Sequence, residues 1–229
     1  MKNIVIIGAS GHAKVVIDII EHKGTYNIVG LVDSYKDDTH TLFGYQVLGS
    51  ENDLPDLIKK YDLYGGIIAI GDNFSRKYLY DKITFRLPHF NFLSAIHPNT
   101  IIGKNVTIEE GTVTLAGVII NSDAHIGKLC IINTNSSVGH ESLLADFSSL
   151  APGVTLGGST KIGYCSAICL GANIIETIEI GAHTVIGAGA LVNKPIGDHK
   201  IAYGVPARII RTREENEPYL GGIYKYNLK

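Results

Sequence analysis

The chain has no tryptophan, one methionine and three cysteines in 229 residues. Cys130, Cys165 and Cys169 show no C-x-x-C spacing, which argues against a zinc knuckle or a disulfide framework. A surplus of one charge is also missing. Twenty basic against 22 acidic residues leave a formal net charge of −2, so nothing points to nucleic acid or an anionic membrane as a partner. The N-terminal apolar run, Met-Lys-Asn-Ile-Val-Ile-Ile-Gly, is too short for a signal peptide or a spanning helix. A cytoplasmic location is the default expectation. What remains is 45% hydrophobic and 18% charged, the composition of a soluble globular protein with a real core.

The dominant signal that is present lies between Ile96 and Val192. Seventeen positions six residues apart carry aliphatic side chains, with Thr114 as the one exception. Small residues recur two places before them: Thr112, Ala124, Cys130, Ser136, Ser142, Ser148, Thr160, Ser166, Ala172, Thr184 and Ala190. Glycine often follows, at 103, 127, 139, 157, 163, 181 and 187. An unbroken hexapeptide period predicts a parallel β-helix, one short strand and one corner per hexad. The aliphatic residue points inward and stacks on its equivalents, and the small residue, cysteine included, fills the inside of the corner. Glycine is expected to supply the positive φ of each corner. No coil could bury its inner face alone, so only the stack is stable.

Ahead of the repeat the pattern is α/β. Asn3 to Ile7 and Tyr26 to Val32 read as buried strands around a helix carrying Val15, Val16, Ile19 and Ile20. A second helix is expected over Asn52 to Tyr61, capped near Asn52 or Asp53, and a third over about Phe74 to Phe85. Gly66 to Ile70 and Asn91 to Ala95 read as further strands. Residues 1–93 are thus expected to form a Rossmann-like domain, and 94–229 the β-helix with a cap over Gly204 to Arg211 and a polar, tyrosine-bearing tail over 213–229. Two glycine turns stand at strand ends, Gly8-Ala9-Ser10-Gly11-His12 and Gly71-Asp72-Asn73. Open α/β sheets bind ligands there, and the first turn opens a helix that favours phosphate. The G-x-G of a dinucleotide fingerprint is missing, which disfavours a nicotinamide cofactor. Spacing alone leaves open a turn needed only for packing, and a His12 that is merely structural. In the repeat, His140 is expected to project outward beside Glu141. Such a pair is either two solvated polar groups or a general base oriented by a carboxylate.

Domain order, the Gly-Ala-Ser-Gly-His turn, Asn133…His140-Glu141, Ala151-Pro152-Gly153 and Gly204-Val-Pro-Ala-Arg208 together resemble the sialic acid O-acetyltransferase-like family of hexapeptide-repeat enzymes. The likeness is to its nucleotide-4-amino-sugar N-acetyltransferase branch and spans residues 1–212. It implies a left-handed β-helix and a homotrimer with active sites between subunits. It also implies acetyl-coenzyme A as co-substrate without a metal, and a UDP-, dTDP- or GDP-linked 4-amino-4,6-dideoxy sugar as acceptor. By resemblance, His140 is the general base and Glu141 orients it or the substrate. Asn133 lies nearby, Gly8, Ser10, Gly11 and His12 hold the sugar and diphosphate, and Asp33 meets the base. Gly71, Asp72, Asn73 and Arg76 approach the phosphates, and Gly158 with Gly171, Ala172 and Asn173 line the coenzyme A groove, where a backbone N–H holds the oxyanion. One departure stands out: many members carry a second histidine where this chain has Ser149. Competing readings are O-acetylation of sialic acid or another sugar hydroxyl and a non-catalytic β-helix. A zinc carbonic anhydrase is disfavoured, because no two of the nine histidines stand five apart.

Overall fold

A computed structural model describes residues 1–220. Of the polar tail expected over 213–229, residues 221–229 lie outside the described residues. The chain opens with β1 (Lys2–Ile7), α1 (Gly11–Lys23) and β2 (Tyr26–Val32). A hairpin of β3 (Thr41–Leu42) and β4 (Tyr45–Gln46) follows, then α2 (Leu54–Tyr61), β5 (Leu63–Ile68) and α3 (Asn73–Arg86). The parallel sheet has the order β2-β1-β5. Ile4, Val5, Ile6 and Ile7 are all buried, because both faces of a parallel strand are covered.

Asp53 caps α2, one of the two positions expected, and a 3-10 turn over Glu51–Asp53 precedes it, with Ser50 at its start forming a capping box with Asp53. Two other details differ from expectation. No strand forms over Asn91 to Ala95. Phe92 makes a single bridge to Gly66, where two side-chain-free residues let the chain cross β5 in close contact, and ladder pairing begins at Ala95–Ile96. The β3–β4 hairpin has strands too short to leave a period in the sequence.

From Ala95 to Val192 the chain is a parallel β-solenoid of about six turns. Strands are two residues long, and each pairs with its equivalent eighteen residues on, as Ile101 with Ile119 and Ile119 with Ser137. The second residue of each strand is the hexad position, aliphatic in all but Val113–Thr114. From Ile120 to Val192 these residues are buried in one continuous column. Thr114 is buried too, its hydroxyl 3.0 Å from that of Thr100. The small inner residues form a hydroxyl ladder. Thr112 Oγ1 donates to Gly127 O at 2.8 Å and accepts from Cys130 N at 3.0 Å, and Ser142, Ser166 and Thr184 repeat the motif.

The glycines after the aliphatic residues serve another purpose than expected. Positive φ falls two places later, at Asn105, Asp123, Leu129, Asn135 and Glu141 among others. The glycines instead admit the backbone of the next coil: a Cβ on Gly103 would stand 2.6 Å from Ser122 N, and one on Gly139 would overlap the Gly157 carbonyl. Of the cysteines, Cys130 fills the coil interior, whereas Cys165 packs outward in the seam with the first domain.

The cross-section of the solenoid has three sheets and three corners. The α/β unit packs on the sheet that contains Val113 and Ile131 and on the adjoining corner of Leu129, Phe147 and Cys165. His140 sits at the corner between the other two sheets, on the edge opposite that contact. At the far end, Lys200–Gly204 pairs in parallel with Val185–Ile186 and antiparallel with Ala207–Thr212, so the expected cap is a hairpin. Residues 213–220 then run back to the seam between the two parts.

Candidate active site

His140 projects outward, with 66% of its side chain exposed. Its Nδ1 lies 3.0 Å from Glu141 Oε2, and Ser159 Oγ donates to the same oxygen at 3.3 Å. Glu141 takes the left-handed backbone position of its corner, φ 56°, which turns its side chain back to the ring. With Nδ1–H donating to the carboxylate, Nε2 holds the free lone pair. Nε2 lies directly over Gly158, where any Cβ would overlap it. Ser159 was not singled out from the sequence, although the eighteen-residue period aligns it with Glu141.

The groove residues differ in what their backbones offer. The N–H groups of Gly171, Ala172 and Asn173 are committed to Pro152 O, Cys169 O and Ala190 O, so none is free to hold an oxyanion. Gly158 N–H makes no hydrogen bond within the described chain. Gly171 faces open space, and Asn173 Nδ2 donates back to Gly171 O at 3.0 Å. Asn133 lies at a different corner from His140 in the same chain, with its Oδ1 accepting from Thr134 N at 3.2 Å.

In the first glycine turn, Gly8 has φ 116°, and a Cβ there would stand 2.9 Å from Ala69 O. Asp33 closes this turn: Oδ2 accepts from Ala9 N and Oδ1 from Tyr35 N, both at 2.8 Å. Ser10 caps α1 without a side-chain hydrogen bond, and no acceptor in the described chain takes the N–H of Ser10, Gly11 or His12. Three free amides at the start of a thirteen-residue helix suit an anion. Gly11 opens onto empty space. His12 Nε2 is buried with no partner, and burial beside the Arg76 cation lowers its pKa to about 4, so the ring is neutral near pH 7.

In the second turn the side chains are engaged in the fold. Asp72 caps α3, accepting from Ser75 N and Oγ, and a capping carboxylate repels phosphate. Arg76 is 1% exposed, and all five of its N–H groups are taken. Nε donates to Leu129 O, Nη1 to Ile70 O and Gly71 O, and Nη2 to Asn73 Oδ1 and Phe147 O, at 2.8–3.0 Å. Asn73 Nδ2 donates to Ser166 O at 3.0 Å. The side chains of Arg76 and Asn73 therefore tie the α/β unit to the solenoid, and neither side chain has a donor left for a phosphate. Burial pushes the Cys130 thiol up to about 11 and that of Cys165 up to about 12, so neither is a nucleophile.

Among the described residues no cluster of three or more metal-ligating side chains occurs, and no helix is long and apolar enough to cross a membrane.

Comparison with known proteins adds independent findings. Residues 3–83 match the family model of the PglD N-terminal domain. A perosamine N-acetyltransferase from Caulobacter crescentus, solved as a variant with CoA and GDP-perosamine, is 37% identical with a TM-score of 0.85. The match covers 91% of this chain and 97% of that one. The acetyltransferase domain of PglB from Neisseria gonorrhoeae FA1090, solved with acetyl coenzyme A, is 28% identical with a TM-score of 0.84, covering 91% and 99%. Among curated proteins, serine acetyltransferase 2 of Arabidopsis thaliana is 32% identical over 133 residues, which is 55% of this chain and 34% of that protein. The chain thus spans about a third of the length of that relative. The near full-length likeness to the first enzyme, the hexapeptide solenoid and the matching N-terminal domain place this chain in the family of acetyl-coenzyme A-dependent hexapeptide-repeat acetyltransferases with a PglD-type N-terminal domain.

Proposed function

We propose that this chain moves the acetyl group of acetyl-coenzyme A to the 4-amino group of a nucleotide-linked 4-amino-4,6-dideoxy sugar, with a UDP, dTDP or GDP carrier. The observation that carries the chemistry is the outward His140, held through Nδ1 by Glu141 with Nε2 over Gly158. The observation that supports the substrate class is the extended likeness to an enzyme crystallised with GDP-perosamine and CoA. The neutral amine attacks the thioester carbonyl. His140 Nε2 takes its proton as the C–N bond forms, and the coenzyme A thiolate leaves. Gly158 N–H is the donor aimed at the oxyanion, since the amides of 171–173 are spent. Alignment and this donor supply most of the rate, and no covalent enzyme intermediate is needed.

The two parts divide the work: residues 1–93 hold the sugar nucleotide and the solenoid holds acetyl-coenzyme A. The diphosphate belongs at the free amides of Ser10, Gly11 and His12. His12, being neutral, faces the sugar as a hydrogen-bonding group and not as a cation. His140 lies opposite the sheet that carries its own N-terminal domain, so a neighbouring copy must bring a sugar to it. A homotrimer with sites between subunits meets that need.

The test is thiol release from acetyl-coenzyme A with a panel of UDP-, dTDP- and GDP-linked 4-amino sugars, their 4-hydroxyl analogues and free sialic acid. Release with one 4-amino compound and not with its 4-hydroxyl analogue is expected. His140→Ala is expected to lose at least ~100-fold in turnover, the scale of a general base. Release with sialic acid alone would move the assignment to O-acetylation. No release, with no coenzyme A binding by calorimetry, would point to a non-catalytic protein.

A further inference from the structure

The C-terminal strap ends in the seam between the two parts of the molecule. Tyr219 Oη lies 3.1 Å from each of three groups: Gly71 O, Asn73 Oδ1 and Ser149 Oγ. The first two belong to the second glycine turn and the third to the solenoid. Leu220 packs beside the same turn, 3.4 Å from where a Cβ on Gly71 would stand. The strap is anchored at its other end as well. Arg213 is buried, with its main-chain N–H on His199 O at 3.0 Å and Nη1 on His183 O at 3.2 Å. Arg211 pairs with Glu217 through both guanidinium nitrogens.

We propose that Tyr219 is a positioning residue for the sugar-nucleotide substrate, fixing against the solenoid the second glycine turn, which follows Ala69 and Ile70 beside Gly8 of the first turn. This rests on the reading that the N-terminal domain holds the sugar nucleotide. The seam itself does not depend on Tyr219, because Arg76 already spans it with bonds to Leu129 O and Phe147 O. What Tyr219 adds is local. Gly71 O and Asn73 Oδ1 each also accept from Arg76; they share the single phenol O–H, whose oxygen accepts from Ser149 Oγ on the solenoid. Ser149 makes this possible by being small, since a bulkier side chain there would occupy the place of the phenol end. Burial pushes the Tyr219 hydroxyl up to about 12, so it stays a proton donor at any working pH. A wall fixed before substrate arrives lowers the ordering cost of binding.

The experiment compares wild type, Tyr219→Phe, Ser149→Ala and the double variant. Readouts are the KM of each substrate, kcat, and hydrogen exchange of the 71–73 amides. Tyr219→Phe is expected to raise the sugar-nucleotide KM about five-fold, the scale of one buried hydrogen bond. The acetyl-coenzyme A KM should stay within about two-fold, and exchange at 71–73 should speed up with the rest of the protein unchanged. Ser149→Ala should give a smaller shift in the same direction, and the double variant should be no worse than Tyr219→Phe alone. An unchanged sugar-nucleotide KM with unchanged exchange overturns the proposal. So does an equal rise in both KM values with faster exchange throughout, the mark of general loosening. If Tyr219→Phe does not fold, Ser149→Ala carries the same comparison. A wild type that acetylates no nucleotide-linked sugar would instead sink the functional reading, and exchange at 71–73 would still decide whether Tyr219 holds the turn.

Discussion

Arg76 shows how differently one residue reads in sequence and in space. Beside a glycine turn at a strand end, an arginine suggests phosphate. In the fold it is a buried cation whose five donors all meet neutral oxygens, three on its own segment and two on the solenoid. Lysine offers three donors and no planar fork, so Arg76→Lys strands at least two buried acceptors. It is expected to cost about 3 kcal/mol of stability, read from urea denaturation, at the scale of buried groups left unpaired. His12 gives a pH signature. Its folded pKa is about 4 against an ordinary 6.5, so the unfolded chain takes up the proton first as pH falls. Stability is then lost between pH 6.5 and about 4 and levels off below that, by at most about 3 kcal/mol. Between pH 7 and 4.5, His12→Gln should lose about 2–3 kcal/mol less than wild type in urea titrations. Equal losses in the two proteins would remove His12 from the acid sensitivity.

At the scale of the element, the hexad was the most legible feature of the chain. A period of six that holds from Ile96 to Val192 dictates which side chain of each two-residue strand points inward, and the structure buries those side chains from Ile120 onward. The reason for the glycines was not legible, because it depends on the backbone eighteen residues further along. A glycine that frees φ and a glycine that admits a neighbouring coil look alike in sequence. Their substitutions separate them. A Cβ on Gly139 would overlap the Gly157 carbonyl, a fixed backbone atom, so Gly139→Ala is expected to destabilise by more than ~2 kcal/mol. A Cβ on Gly158 would overlap only the far end of the His140 side chain, which can swing away. Gly158→Ala should therefore keep its stability within about 1 kcal/mol yet lose at least ~10-fold in kcat as the base is displaced. Thermal melts and turnover on the two variants check both halves, and matching losses of stability would refute the distinction.

At the scale of the whole molecule, the order of an α/β unit and a solenoid was readable, while the seam between them was not. Its bonds join residues 53 to 148 positions apart, and no local pattern marks Tyr219 as the partner of Ser149 or Leu129 as the acceptor of Arg76. The seam has a functional consequence. It fixes the N-terminal domain to one sheet and its adjoining corner and leaves His140 at the corner between the other two sheets. In the assembly proposed above, the outward aliphatic residues Ile101 and Ile119 on one sheet and Leu143 on the next offer surface for a neighbouring copy. The arrangement predicts complementation between two inactive variants. His140→Ala lacks the proposed base. Gly11→Asp places a carboxylate among the amides proposed to hold the diphosphate, at a position where a Cβ meets nothing, so the fold should tolerate it. If each site takes its base from one subunit and its sugar from another, subunit exchange between equal amounts of the two variants gives one site in four with both halves intact. Activity should return to about a quarter of wild type, from two proteins that are each inactive alone. A mixture that stays inactive after exchange has been verified by mass spectrometry would mean that base and sugar turn act within one chain, and the oligomeric reading of the site would fall.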